Sequence, residues 1–309
     1  MTDELPTSDF NSFQTDRMSC DRSGVDIVTP GYQIQERIGQ GAFGAVYRAK
    51  RISDGKDFAI KSLKLDHSPE AGTDRNRFFR EAVVLCQLQH PRIVSFRELG
   101  MAGDTPYIVM DFVPTTSWSQ VAANLKINIK IKVAVGVAVH CLEGLAFAHS
   151  KGIVHRDIKP SNVLLEKRDQ KLSVRLADFG MAKNYFDAGH SGLTDDRQFG
   201  GTVGYMAPEL VEGYRFFKPS SDQYSMAATL YELVAGRPPV KHDPRVNPIV
   251  TLRDNKFPPI ETLVPEVPVD LQQWVHRGLA YLPENRFSST EEMLACLRQV
   301  YSQLRLANR

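Results

Sequence analysis

The sequence predicts an α+β fold in two lobes, a small β-rich one followed by a larger, mainly helical one. Two observations carry this reading. From Tyr32 to Leu63, short β-rich stretches are broken by glycine-rich turns, whereas after residue 120 the apolar residues fall at helical spacing. The chain is also long: 309 residues exceed a typical single domain, which points to two packed lobes or one large domain.

Residues 1–30 carry six acids, two arginines and many Ser and Thr with no apolar period, and are expected to form a disordered acidic tail. The lobes are expected at residues 31–113 and 114–303, with 304–309 as a C-terminal end. In the first lobe, Asp54-Gly55 between Val46-Tyr47 and Phe58-Ala59-Ile60 is a hairpin signal. Phe78, Glu81, Ala82, Leu85 and Leu88 fall at i, i+3, i+4, i+7 and i+10, one stripe of a helix. Ile93–Phe96 and Tyr107–Phe112 read as further strands, and Pro114–Ser119 as the connection between lobes.

In the second lobe, Val135, Val139, Leu142 and Ala146 form one helical face that ends before Gly152. Asp222 is expected to open a helix behind Pro219-Ser220-Ser221, with Met226, Leu230 and Val234 turned inward. Leu271, Trp274, Val275, Gly278 and Leu279 predict another helix. Ser289-Thr290-Glu291-Glu292 is a capping-box pattern that opens a last one, with Leu294, Leu297, Tyr301 and Leu304 on one side.

Composition excludes several classes. A net charge of +2 is too small to suggest a nucleic-acid or membrane surface. Cys20, Cys86, Cys141 and Cys296 contain no C-x-x-C pair, so neither a zinc site nor a disulfide framework is expected, and a reducing, cytoplasmic setting fits. The most apolar run, Val133 to Val139, is bounded by Lys132 and His140, well short of the roughly 20 residues that cross a bilayer. The N-terminus is acidic rather than basic, so no signal peptide and no membrane segment are expected.

The chemistry concentrates in two motifs. His155-Arg156-Asp157-Ile158-Lys159-Pro160-Ser161-Asn162 is followed, sixteen residues after Asn162, by Asp178-Phe179-Gly180. This spacing supplies one carboxylate to steer a hydroxyl and two oxygen ligands to hold magnesium. Phosphoryl transfer asks for little more, because positioning and charge neutralisation do most of the work. Upstream, Gly39-Gln40-Gly41-Ala42-Phe43-Gly44-Ala45-Val46 matches G-x-G-x-x-G-x-V, where a glycine backbone can come close to phosphates. Strand signals lie on both sides of it and no helix pattern starts at Gly44, which argues against a dinucleotide-binding turn. Lys61 follows Gly44 by seventeen residues, in Ala59-Ile60-Lys61. Glu81 interrupts the apolar stripe of its helix, so its charge needs an inward partner, and Lys61 is the expected one.

This ordered set resembles the eukaryotic-type (Hanks-type) serine/threonine protein kinase superfamily, over roughly residues 32–303, and Lys151 to Asp157 resembles its bacterial members. The resemblance implies transfer of the γ-phosphate of ATP to protein serine or threonine hydroxyls, with magnesium, or manganese in its place. It implies that Asp157 orients the hydroxyl, that Lys159 bridges toward the γ-phosphate and that Asn162 and Asp178 hold the metal. Lys61, paired with Glu81, would meet the α- and β-phosphates. Ile38, Gly39, Gly41, Gly44, Val46, Ala59 and Leu164 would surround the nucleotide, and Met110 would stand before the hinge Asp111-Phe112-Val113, whose backbone meets adenine. Glu209, in Met206-Ala207-Pro208-Glu209, would form a structural ion pair with Arg286. Asp222 would brace the catalytic loop, and His155 would pack beneath it with Leu85 and Phe179. Lys159 and Gly201-Thr202 point to serine or threonine acceptors. One stretch departs from the family pattern: Thr115 to Ser119 lacks the usual Gly-Gly-x-Leu after the hinge.

A switch is also expected. Arg156, Lys183 and Arg77 would form a three-point basic pocket for a phosphate, which charge-assisted hydrogen bonds can hold. Thr194, eight residues before Thr202, is the first autophosphorylation candidate and Ser191 the second. The partners implied are protein substrates and the protein itself. Two rival readings are a pseudokinase scaffold, which would lack one of Lys61, Asp157, Asn162 or Asp178, and a small-molecule phosphotransferase, which would lack the element around Glu209.

Overall fold

In a computed structural model of the protein, the described residues are 29–41, 44–63, 82, 85–168, 171–179, 203–212, 217–241, 243 and 245–306. The first lobe is built on one antiparallel sheet of β1 (Tyr32–Gly41), β2 (Gly44–Arg51), β3 (Asp57–Leu63), β4 (Phe96–Ala102) and β5 (Thr105–Asp111), in the order β1-β2-β3-β5-β4. Alternation decides its faces. Tyr47 and Ala49 of β2, Phe58 and Ile60 of β3, and Tyr107 and Val109 of β5 form one buried cluster with Tyr32. Between them on β5, Ile108 turns to the opposite face, where it packs with Ala82, Leu85 and Leu99. The β2–β3 turn closes through Arg51 N–H donating to the Lys56 carbonyl (2.8 Å), and Gly55 takes the left-handed conformation there, φ +69°.

The second lobe is helical around α3 (Pro219–Ala235), which is buried along nearly its whole length. Before it come α1 (Trp118–Ala122) and α2 (Ile127–Ser150); after it come α4 (Pro248–Asp254), α5 (Ile260–Leu263), α6 (Val269–Gly278) and α7 (Thr290–Leu306). α2 is long and apolar enough to cross a membrane by length and composition alone, a longer stretch than the Val133–Val139 run suggested. Its most apolar window is 67% buried within the fold, so core packing accounts for its composition. Gly278 marks a close approach of α6 to α3: a Cβ there would stand 2.6 Å from that of Ala227.

The structure corrects several expectations. A strand was expected at Ile93–Phe96, but β4 begins only at Phe96; Ile93 instead bridges Leu176, and Val94 N–H donates to the Leu176 carbonyl (2.9 Å). Leu88 belongs to no helix. Ala82, Leu85 and Cys86 are helical, but the helix has ended before Leu88, which is buried all the same. α3 opens at Pro219 rather than at Asp222, because proline suits a first helical position where no N–H is needed. At α7, Ser289 accepts from the Glu292 amide (3.1 Å) as in a capping box, but the Glu292 carboxylate reaches the amide of Ser288 (2.6 Å) rather than that of Ser289. A second sheet, β6 (Val163–Arg168) with β7 (Lys171–Leu176), was not expected at all.

Candidate active site

Register places the nucleotide-pocket candidates. Val46 lies opposite Gly39 on β1 and opposite Lys61 on β3, and Ala59 lies opposite Met110 on β5. Ala59 and Val113 are buried, Val46, Met110, Asp111 and Leu164 are half-buried, and Ile38 is exposed. Gly41 and Gly44 are paired across the end of the β1–β2 hairpin, and Gly44 has φ +137°. A Cβ on Gly39 would make only ordinary contact with Val46, at 3.6 Å. Nothing among the described residues therefore demands glycine at that position. Beyond β5 the chain is stitched to the second lobe by Thr116 N–H donating to the Leu165 carbonyl on β6 (2.7 Å).

The loop between α2 and β6 brings Asp157, Lys159 and Asn162 together. Asp157 Oδ2 lies 2.9 Å from Lys159 Nζ and accepts from Asn162 Nδ2 at 3.0 Å, and the same amide donates to the Asp157 carbonyl (2.6 Å). Asp178, just past β7, pairs with Lys61 at 2.8 Å. Two of the three non-glycine residues with positive φ among the described residues are here, Arg156 at 74° and Asp178 at 61°. A left-handed non-glycine backbone is strained and persists only when its surroundings hold it. Asp222 does so for the loop: its carboxylate accepts from His155 N–H (2.7 Å) and Arg156 N–H (2.9 Å). His155 is fully buried, its ring 4.3 Å from that of Phe179 and its Nε2 3.0 Å from the Ala177 carbonyl. Glu209 and Arg286 form a bidentate pair at 2.8 and 2.7 Å.

A family model described as the protein kinase domain matches residues 32–298. The chain belongs to the protein kinase family. It is 32% identical to serine/threonine-protein kinase PknB of Mycobacterium tuberculosis over 276 residues, 88% of this chain and 43% of that protein. It is also 32% identical to serine/threonine-protein kinase PrkC of Bacillus subtilis, over 89% of this chain and 41% of that protein. The kinase thus spans less than half the length of these curated relatives. The crystal structure of the Mycobacterium tuberculosis PknI kinase domain superposes with a TM-score of 0.64 at 27% identity, covering 91% of this chain and 99% of that one.

Within this kinase, Lys61 meets Asp178, whereas the partner expected from sequence was Glu81; Glu81 lies outside the described residues, as do Arg77, Lys183, Ser191, Thr194 and Thr202. Sequence reasoning missed His149, which links Asp222 Oδ2 (2.8 Å) to Thr290 Oγ1 (2.7 Å) at the start of α7. The signal was available: His149 is a polar residue at the end of an apolar helix face, six before His155. It also missed Trp118 and Lys130, which donate to the Leu233 (3.0 Å) and Val234 (2.9 Å) carbonyls at the C-terminal end of α3 and so fix the start of the second lobe.

Burial pushes the Asp178 and Asp222 carboxyls up, but their neighbours more than offset it. The Lys61 ammonium does this for Asp178, and His149, His155 and the Arg156 amide do it for Asp222, so both lie below the usual carboxylate value of 3.8. Burial lowers His155, His140 and His90 below the ordinary 6.5. The unfolded chain therefore binds more protons than the fold as pH drops past about 6.5, and stability is expected to decline from there. The two carboxylates contribute stability that is complete above 3.8 and vanishes as pH falls through their lower folded values, so the decline steepens in that range. Melting temperatures recorded from about pH 8 to about pH 3 check both phases; a melting temperature that rises on acidification would contradict them.

Proposed function

We propose that this kinase transfers the γ-phosphate of ATP to serine or threonine hydroxyls of protein substrates, itself included, using magnesium or manganese. The observation that carries this reading is the carboxylate of Asp157, held between Lys159 and Asn162 in the same site as the Lys61–Asp178 pair. Asn162 and Asp178 offer the hard oxygen donors that magnesium takes. No group of three His, Cys, Asp or Glu side chains able to hold a metal occurs among the described residues. Magnesium uses one or two protein oxygens and completes its shell with phosphates and water, so the Asn162 and Asp178 oxygens are a sufficient donor set. The metal supplies charge neutralisation on the phosphate oxygens when bound. Asp157 orients the acceptor hydroxyl and takes its proton on the carboxylate. Lys159 and Lys61 turn from their carboxylate partners toward the phosphates, each an ammonium that a small rotation can redirect.

A pseudokinase scaffold is disfavoured because Lys61, Asp157, Asn162 and Asp178 are all present. A small-molecule phosphotransferase is disfavoured by the Glu209–Arg286 pair, which stiffens a platform that only a peptide acceptor needs. Radiolabelled ATP with a generic protein acceptor, with the kinase alone and with small alcohols separates the three. Label in the acceptor protein is expected; label in neither protein would overturn the reading.

The same reading includes a switch. Arg156 sits beside the site with its guanidinium 6.0 Å from the Phe217 ring, and a phosphate on Thr194, or on Ser191, would join it to Lys183 and Arg77. Thr194→Ala with Ser191→Ala is expected to lower activity on the order of tenfold, within the range of such couplings. Mass spectrometry of the purified kinase checks the phosphates. Full activity in the double variant would place the switch elsewhere.

A further inference from the structure

The segment joining the lobes carries more charge than contact with adenine requires. β5 ends at Asp111, whose N–H donates to the Ser95 carbonyl (2.9 Å). Its carboxylate is gripped from the first lobe by Arg97 of β4, with Nε donating to Oδ1 at 2.6 Å and Nη2 to Oδ2 at 2.9 Å. From the second lobe, Arg175 of β7 brings Nη1 within 3.9 Å of Oδ2, too far for a hydrogen bond but near enough for attraction. The Arg175 Nε is buried with no hydrogen-bond partner among the described residues. Its own hydrogen bonding thus does not explain why the guanidinium is kept there. On the next residue, Arg48 of β2 sets its guanidinium 4.9 Å from the centre of the Phe112 ring, and is itself held by Asp57 at 2.8 Å. Three strands thus send three arginines to two successive residues.

We propose that Asp111 is the buckle of a charge clasp between the lobes, Arg97 on one side and Arg175 on the other, that fixes how the hinge backbone is presented to the nucleotide. Arg48 against Phe112 limits sideways motion. All are positioning residues, since none touches the reacting atoms. The inference rests on reading the backbone of Asp111 to Val113 as the nucleotide contact. The grip of Arg97 is complete, whereas Arg175 stands about 1 Å short of a hydrogen bond, so the two sides of the clasp are unequal. The side chains of Arg97, Asp111 and Arg175 are 51%, 21% and 30% exposed, and a cavity of about 370 Å³ opens against them. Such pairs are modest and are screened by salt, so the clasp trims the hinge rather than locking it.

The test uses the full chain, with Arg97 and Arg175 each changed to Ala and to Lys. Each Ala variant is expected to raise KM for ATP by roughly two- to fivefold, with a smaller change in kcat, and raising the salt should narrow the gap to wild type. The lysine variants should differ. Arg175→Lys should restore KM, because a point charge suffices at that distance, whereas Arg97→Lys should not, because the two-pronged contact is lost. Hydrogen exchange over residues 111–113 of the nucleotide-free protein should quicken in both Ala variants. Unchanged KM and unchanged exchange would overturn the clasp, as would equal falls in kcat and melting temperature at constant KM. Binding of a fluorescent ATP analogue to wild type tests the pocket itself; if it fails, the functional reading fails, while the exchange rates still decide the clasp.

Discussion

Asp157→Asn is expected to lower kcat by about 10²–10⁴-fold, the range that removing a positioned acid–base group usually costs, from the roughly 1–100 per second typical of kinases. The substitution keeps the size of the side chain and removes one thing, a negative oxygen able to receive the hydroxyl proton. Lys159 and Asn162 lose their anionic partner, at 2.9 and 3.0 Å, but the loop itself is anchored elsewhere, through the Asp222 carboxylate on the amides of His155 and Arg156. Nucleotide affinity should therefore persist while turnover falls. Lys61→Met should disable transfer by a different route. Lys61 is the largest favourable influence on the Asp178 charge, so losing it raises that carboxyl, and nucleotide binding should weaken together with turnover. Steady-state kinetics alongside calorimetric ATP titration distinguishes the two patterns. Wild-type turnover in Asp157→Asn would remove that residue from its assigned role.

Much of the fold was legible because it is written in local patterns. The Asp54-Gly55 turn, the β-rich stretches on either side of it and the apolar stripes of α2, α6 and α7 each depend on residues close in sequence. What was not legible depended on distant partners. Ile93 and Val94 read as a strand by composition, but their bridging partner is Leu176, more than eighty residues on, and the sheet proper starts at Phe96. β6 and β7 are short strands whose alternation at Val163, Leu165, Val174 and Leu176 was overlooked in a region judged helical. For the site, motif spacing gave the residue types but not their pairing. Lys61 meeting Asp178 across 117 positions, and His149 reaching both Asp222 and Thr290, are products of tertiary packing. The arginines on Asp111 were invisible for the same reason, since Arg97 and Arg175 belong to no motif.

Arg286→Ala should be the most destabilising single substitution away from the site, on the order of 3–5 kcal/mol, as for other buried pairs broken from one side. All five guanidinium hydrogens are used: two on Glu209 (2.8 and 2.7 Å) and one each on the carbonyls of Ala280 (2.9 Å), Ser220 (2.9 Å) and Tyr281 (3.1 Å). The side chain is completely buried, and its guanidinium lies 5.1 Å from the Tyr224 ring. Its removal would leave three carbonyls without this donor and the Glu209 carboxylate, 17% exposed, with Ser221 Oγ at 2.9 Å in place of a cation. Lysine cannot substitute, having three donors where five diverge. The melting temperature should fall by roughly five to ten degrees for a domain of this size. A double change, Arg286→Met with Glu209→Leu, should cost less than Arg286→Ala alone, because no unpaired charge is then left inside. Thermal denaturation of the two variants beside wild type settles the point. If the double variant is the less stable, the geometry of the pair matters more than the charge it neutralises, and Glu209 is held in place chiefly by Ser221.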